Sequence, residues 1–310
     1  MAQLSHRGPR PMTDNRRESS TITEDLPVQC EIFPDDTHRD HQKLMAHPFA
    51  AFSKSLDEIT YRRKYSDGRT VKLEVRALSH YGMATIHDFD VVLYVISVIR
   101  EAMNRGDDPP RTVTFTPRQF LKWTDRSTGG RAYDNLYESL ERLASTSVKT
   151  TIGEGESRRE NMEPWLAWSI ELREDGETLR RNDQVTVRIN SWLWKSVAEN
   201  EFVLAIDQEY FGLRSSYERF LYRVFRKSVG QDNFWGWKMK ALYEKAGTDV
   251  RYSHFAYKVR QCAEKDNLPR YRLSVMEGED EWVRAYDRDY WQKCLNDELR
   301  APPKPWEIGH

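Results

Sequence analysis

From residue 86 onward the apolar positions of this chain fall into periods that change from element to element. Val91, Val92, Val95, Val98 and Ile99 recur at helical spacing after Asp88, a residue suited to an N-cap. Asp107-Asp108-Pro109-Pro110 halts any helix. Val113 and Phe115 then alternate with Thr112 and Thr114, as in a short strand. Thr116-Pro117 is a helix start, a capping hydroxyl followed by proline at the first helical position, and Phe120, Leu121 and Trp123 give that helix an apolar side. Gly129-Gly130 offers a sharp turn, because glycine tolerates positive φ. Tyr133, Leu136, Leu140 and Leu143 line one face of a third helix, with Arg131, Asp134, Glu138, Glu141 and Arg142 expected on the other. Ser147 to Ile152 is β-branched and reads as a strand, and Trp165 to Leu172 as its return. Helix, strand, helix, turn, helix, hairpin is the outline of a winged helix, whose third helix can enter a DNA groove. An ordinary small α/β bundle fits the same pattern.

The pattern comes round again further on. Val185 to Ile189 alternates as a strand, Trp192, Leu193, Trp194 and Val197 mark a short helix, and Phe202 to Ile206 another strand. A helix from about Ser215 to Ser228 turns Phe220, Leu221, Val224 and Phe225 inward and is expected to expose Arg214, Arg219, Arg223, Arg226 and Lys227. A helix from Trp237 to Ala246 closes on Gly247. Ser253 is expected to cap a further helix, His254 to Glu264, and Tyr271–Val275 with Trp282–Tyr286 make a second wing. Upstream, Ile59–Tyr61 and Val71–Val75 flank Ser66-Asp67-Gly68 as a hairpin. The expected fold class is therefore α+β: two tandem winged-helix domains, at 43–180 and 181–300, with a boundary in the charged stretch 173–184. A flexible, disordered tail at 1–42 precedes them, and a proline-rich tail at 301–310 follows.

Three stretches, GMATIHDFDVVLYVISVIREA (82–102), STGGRAYDNLYESLERLASTSVKTTI (127–152) and HPFAAFSKSLDEITYR (47–62), together resemble the plasmid replication initiator protein A family. The resemblance covers about residues 43 to 175 well and the rest more loosely. Its motifs are structural glycines, caps and core apolars, so they indicate membership and name no active site. The resemblance implies a replication initiator that docks on direct repeats of double-stranded origin DNA, helps open the origin and recruits host replication proteins, a helicase or its loader and the host initiator. It also implies exchange between a repeat-binding monomer and a homodimer, which the first domain would form.

Composition bears on this through the placement of charge. The net charge of −1 over 310 residues argues at first against a polyanion. Yet Tyr210 to Arg272 holds fourteen lysines and arginines against six acids, while Leu273 to His310 holds five against nine. A neutral chain with one basic segment points to a local polyanion site. With no apolar run near ~20 residues and no leader-like start, no membrane partner is expected and the place is the bacterial cytoplasm. The three widely spaced cysteines agree with a reducing compartment.

Within the basic segment the expected DNA-binding residues are Arg214, Arg223, Arg226, Lys227, Arg251, Ser253, His254, Tyr257, Lys258, Arg260, Gln261, Lys265, Arg270 and Arg272. Arginine can bridge the two guanine acceptors, glutamine can pair with adenine, and lysine can hold phosphate. The first unit adds Arg126, Arg131, Asn135 and Lys149, weakened by the acids on the same helix. The bland alternative is a solvated helix face. No P-loop motif, no pair of histidines bracketing one apolar residue and no carboxylate–histidine cluster occurs, so neither a catalytic site nor a cofactor nor a metal is expected. His38-Arg39-Asp40-His41 could supply metal ligands, but nothing nearby completes a site. A winged-helix transcriptional repressor and a nicking replication enzyme are the alternative functions.

Overall fold

The computed structural model describes residues 28–29, 38–64, 68, 70–151, 162–171, 179–199, 203–278, 280–296 and 299. In chain order the elements of the first part are β1 (Val28–Gln29), β2 (His38–His41), α1 (Gln42–Ala46), β3 (Glu58–Lys64), β4 (Thr70–Ala77), α2 (Phe89–Asn104), β5 (Val113–Phe115), α3 (Pro117–Trp123), α4 (Gly130–Ser145), β6 (Thr146–Thr150), β7 (Met162–Pro164), β8 (Leu166–Ser169), β9 (Val185–Ile189) and α5 (Ser191–Ala198). The second part holds β10 (Val203–Ile206), α6 (Ser216–Val229), β11 (Phe234–Lys238), α7 (Met239–Ala246), α8 (Tyr252–Lys265), β12 (Tyr271–Met276), β13 (Trp282–Asp287) and α9 (Arg288–Leu295).

Helix α2 is the axis of the first part. Every residue from Phe89 to Ile99 is buried, so this helix has no solvent face over three turns. Its polar residues are therefore committed to partners. Ser97 Oγ donates to the Leu93 carbonyl, and Asp90 binds two arginines. Asp88, expected to cap the helix with its side chain, makes no such bond. Its carboxylate instead accepts from the Thr85 amide, from Ser139 Oγ at 2.6 Å and from both Nε and Nη2 of Arg142. Arg142 thus points inward, against its expected place on the outer face of α4, because the paired carboxylate compensates its burial.

Two sheets flank this axis. One has the order β1-β5-β9-β8, the other β3-β4-β6-β7. The hairpin expected at 59–75 is β3–β4, with Ile59 opposite Val75 and Tyr61 opposite Leu73. The strand expected to return over 165–172 is divided: Met162–Pro164 pairs with β6, and Leu166–Ser169 crosses to pair with β9. Trp165, fully buried, sits at the crossing and packs edge-on to Phe49 and Phe89. Since β9 pairs with β5 and β8, sheet pairing crosses the boundary expected at 173–184.

The N-terminal side also differs from expectation. His38–His41, assigned to a flexible tail, is a buried strand antiparallel to β10, and β1 pairs in parallel with β5. The polar side chains of β2 are buried because each meets a partner: His38 Nε2 lies 3.1 Å from the Trp123 carbonyl, His41 Nε2 2.8 Å from Ser196 Oγ, and Asp40 binds Arg223. Residues 1–27, most of that expected tail, and the tail at 301–310 lie outside the described residues.

The second part runs α6-β11-α7-α8-β12-β13, with a three-stranded antiparallel sheet in the order β11-β13-β12. Strand β11 occupies the stretch Phe234–Lys238, so α7 begins at Met239 and not at Trp237. Helix α6 starts in a reciprocal capping box between Ser215 and Glu218. Phe220, Phe225, Phe255 and Leu242 join α6, α7 and α8 into the same apolar core as α2.

Candidate nucleic-acid interface

Two helix pairs are built for surface display. In the first, Thr116 and Gln119 form a capping box and Pro117 opens α3, as expected. The link to α4 does not turn on its glycines. Gly129 has φ −77° and sits at the N-cap, Gly130 is the first residue of the helix, and the left-handed residue of the link is Asp125 at φ 49°. Helix α4 exposes Arg131, Asp134 and Asn135. Arg126 is spent elsewhere: its guanidinium binds the Asp90 carboxylate and reaches the His87 carbonyl. Lys149 is half-buried on β6.

In the second pair, α7 ends at Gly247, whose φ of 55° is a left-handed C-cap. A side chain there would meet Pro48 Cβ at 2.4 Å, so glycine is required both by conformation and by the close approach of the first part. Helix α8 begins at Tyr252, five residues after Gly247. Its N-cap position is Arg251, which makes no side-chain cap bond, so Ser253 lies inside the first turn and does not cap. Phe255, Ala256, Val259 and Cys262 are buried, while Tyr252, Ser253, His254, Tyr257, Arg260 and Lys265 are exposed.

The outer face of α8 is wired together. Gln261 Nε2 donates to the Tyr257 hydroxyl at 2.8 Å, and Lys258 Nζ to Gln261 Oε1 at 3.3 Å. Arg260 reaches the β12–β13 hairpin: its Nε and Nη2 donate to the two Glu281 oxygens at 2.6 and 2.8 Å, a bidentate pair with the residue just before β13. Lys265 lies 3.5 Å from Glu218, Arg270 3.4 Å from Asp287, and Arg272 binds Asp266. The basic excess seen along the chain is thus largely neutralised where Arg260, Arg270 and Arg272 stand. Among the described residues Arg131, Arg214, Arg251 and His254 make no ion pair, and all four are exposed.

Three of the arginines expected outside on α6 do other work. Arg223 is buried and donates through Nε to Asp40 Oδ2 at 2.6 Å. Burial disfavours its charge, but the pairing with Asp40 outweighs this and holds the guanidinium above its ordinary pKa. It cannot reach a phosphate. Arg219 is buried on Asp90, and Arg226, half-buried, donates through Nε to the Ala205 carbonyl at 2.8 Å. Lys227 is exposed at the mouth of an internal cavity. Tyr252 is exposed beside His254 and escaped the sequence pattern, because α8 starts earlier than the apolar spacing indicates.

The profile of the family described as Replication initiator protein A matches residues 39–273, three quarters of the chain. The chain belongs to that family. A relative from Wigglesworthia glossinidia brevipalpis, a "putative replication protein", is 28% identical over 193 residues, covering 62% of this chain and 70% of the relative. Among solved structures, a crystal structure of domains 2 and 3 of RctB superposes with a TM-score of 0.56 at 15% identity, over 79% of this chain and 98% of that one. A second RctB structure of domains 2–3 gives 0.51 at 13% identity, over 79% and 96%. At these identities the likeness is one of fold. The family match extends beyond both ends of the 43–175 stretch where the sequence resemblance was strongest, and takes in α6, α7, α8 and part of β12. No helix among the described residues is long and apolar enough to cross a membrane.

Proposed function

We propose that this replication initiator acts by binding direct repeats of double-stranded DNA at a plasmid origin, through two winged helices of unequal strength. The observation that carries the reading is the second unit. Its order α6-β11-α7-α8-β12-β13 supports reading it as a winged helix, and α8 presents Tyr257, Arg260 and Gln261 beside the β12–β13 hairpin. Arg251 and Arg214 supply the exposed positive charge for phosphate contact, with His254 exposed beside Arg251. The first unit, with Arg131 and Asn135 next to Asp134, makes auxiliary contacts and offers a surface for a homodimer. Origin opening then draws on binding energy and DNA distortion, with host replication proteins recruited to the opened site and no bond chemistry in the initiator.

Footprinting of the purified protein on the plasmid's own repeats tests this. Protection of each repeat, with specific affinity far above that for an unrelated duplex, is expected. Equal affinity for both duplexes would sink the proposal. Incubation with supercoiled origin DNA and a divalent metal should leave the DNA unnicked, and a site-specific nick would favour the nicking-enzyme alternative.

A further inference from the structure

A cavity of about 140 Å³ lies where the two parts meet, and basic side chains line much of it. His47 and Arg63 come from the first part, and Lys227, Ser228, Trp237 and Lys245 from the second. Among the described residues no carboxylate lines it. Lys245 is buried, with its Nζ 4.5 Å from the centre of the Trp237 ring. His47 Nδ1 is buried and has no hydrogen-bond partner. Ser228 Oγ accepts the Trp237 indole N–H at 3.0 Å, which leaves its own proton to donate.

Such a cluster is costly as it stands. A buried ammonium without a counter-charge, as at Lys245, is expensive, and the charges of Arg63 and Lys227 repel it. Burial, then the charges of Arg63 and Lys227, push Lys245 down to about 8. Burial, then Lys245, Lys227 and Arg63, push His47 down to about 3. Elsewhere in this protein buried cations have carboxylates, as with Arg142, Arg219 and Arg223. Here the ammonium of Lys245 has only an aromatic face. The space is several times the ~30 Å³ of a water and well below the ~300 Å³ at which pockets for whole organic ligands begin.

We propose that this cavity is a binding site for a tetrahedral phosphate-class anion, held by Lys245, Lys227, Ser228 and His47, which ties the two parts of the protein together. The anion would accept a hydrogen bond from His47 of the first part and neutralise Lys245 and Lys227 of the second, so its loss loosens their packing. Its source is either free inorganic phosphate or one backbone phosphate of bound DNA. Only the second source rests on the DNA-binding proposal.

The test uses the full chain without DNA first. Inorganic phosphate should raise the melting temperature saturably by a few degrees over chloride at matched ionic strength and pH 7. Lys245→Met and Lys227→Gln should each abolish that rise. Lys227→Gln changes an exposed side chain, so the test survives if Lys245→Met does not fold. With sulfate, a dianion throughout, the effect should fade as pH rises past 8 and Lys245 loses its charge. The second arm measures DNA affinity. If the anion is a backbone phosphate, phosphate competes with duplex and Lys227→Gln lowers the salt slope by about 0.9. If it is free phosphate, DNA binding is unchanged by the variant. A stabilisation that chloride matches, or that survives both substitutions, overturns the proposal when DNA affinity is also unchanged.

Discussion

Arg219 on α6 places Nη1 2.6 Å from Oδ1 of Asp90 on α2, and both side chains are almost wholly buried. The pair joins the two central helices of the two parts. The rest of the guanidinium is also satisfied, with Nε on the Leu213 carbonyl at 2.8 Å and Nη2 on the Phe211 carbonyl at 3.0 Å. Removing one partner of a buried pair leaves an uncompensated charge, which costs about 3–5 kcal/mol. Asp90→Ala, which strands Arg219 and Arg126 together, should therefore lower the unfolding free energy by about that amount in urea titrations. Arg126→Ala should cost less, since Arg126 is partly exposed and Arg219 remains to neutralise Asp90. Equal losses from the two variants would mean that the Arg219 contact is not the one that holds the carboxylate.

Acid should destabilise this protein earlier than carboxylate titration alone would. His41, His47 and His87 are held neutral by burial, with Lys43, Lys245 and Arg219 respectively adding repulsion, and are pushed down to about 3, 3 and 4. In the unfolded chain each takes up a proton near pH 6.5, and in the folded chain it does not. Stability therefore falls as pH drops below 6.5, by up to about 1.4 kcal/mol per pH unit for each histidine, until the folded values are reached. Lys245 acts at the other end: between 8 and 10.5 the unfolded chain holds its proton more tightly, so this group makes stability rise with pH. Urea midpoints measured from pH 7.5 to 5 should show the acid-side loss. A flat profile would mean that these imidazoles are not buried as described.

The turn between α7 and α8 and the link before α4 both contain glycine, and they should respond in opposite ways. Gly247→Ala puts a methyl group into Pro48 at a left-handed position and should cost more than about 1 kcal/mol. Gly130 has ordinary φ and open space around its Cβ position, so Gly130→Ala should be neutral or slightly stabilising by thermal melts. A melting temperature that drops for Gly130→Ala would place the strain in the first link after all.

These contrasts show which parts of the molecule were legible in its sequence. Many helices and strands of both units follow from local signals: Thr116-Pro117 as a start, Gly247 as a stop, and the alternation in β3, β4 and β9. What stayed hidden depends on partners far away in the chain. Arg219 and Arg223 looked like surface cations because the carboxylates that bury them lie 129 and 183 residues away. His38–His41 looked like a solvated tail because every side chain in it is polar, and only the three-dimensional partners Trp123, Ser196 and Arg223 make its burial tolerable. For the same reason a count of basic residues overstated the charge available to DNA: it could not see Glu281 under Arg260 or Asp266 under Arg272.

That pairing sets the decisive comparison for the interface. If Arg260 reads a base edge, it must leave Glu281 or share it, and the acid then acts as a brake on binding. Glu281→Gln keeps the side-chain shape and removes the charge, so it should raise affinity for the origin repeats. Arg260→Ala should lower it by about 1–3 kcal/mol and relax preference at one position. Arg251, exposed at the start of α8 and without an ion pair, should behave as a phosphate contact: Arg251→Ala weakens all sequences alike and lowers the salt slope by about 0.9. Arg131→Ala, beside Asp134 on α4, should lose less than Arg260→Ala. Salt-dependent titrations of these four variants on the same repeats decide the matter. Should Glu281→Gln and Arg260→Ala leave affinity untouched while Arg131→Ala reduces it, the pair Arg260–Glu281 only fastens the β12–β13 hairpin to α8, and α4 of the first unit is the principal reader.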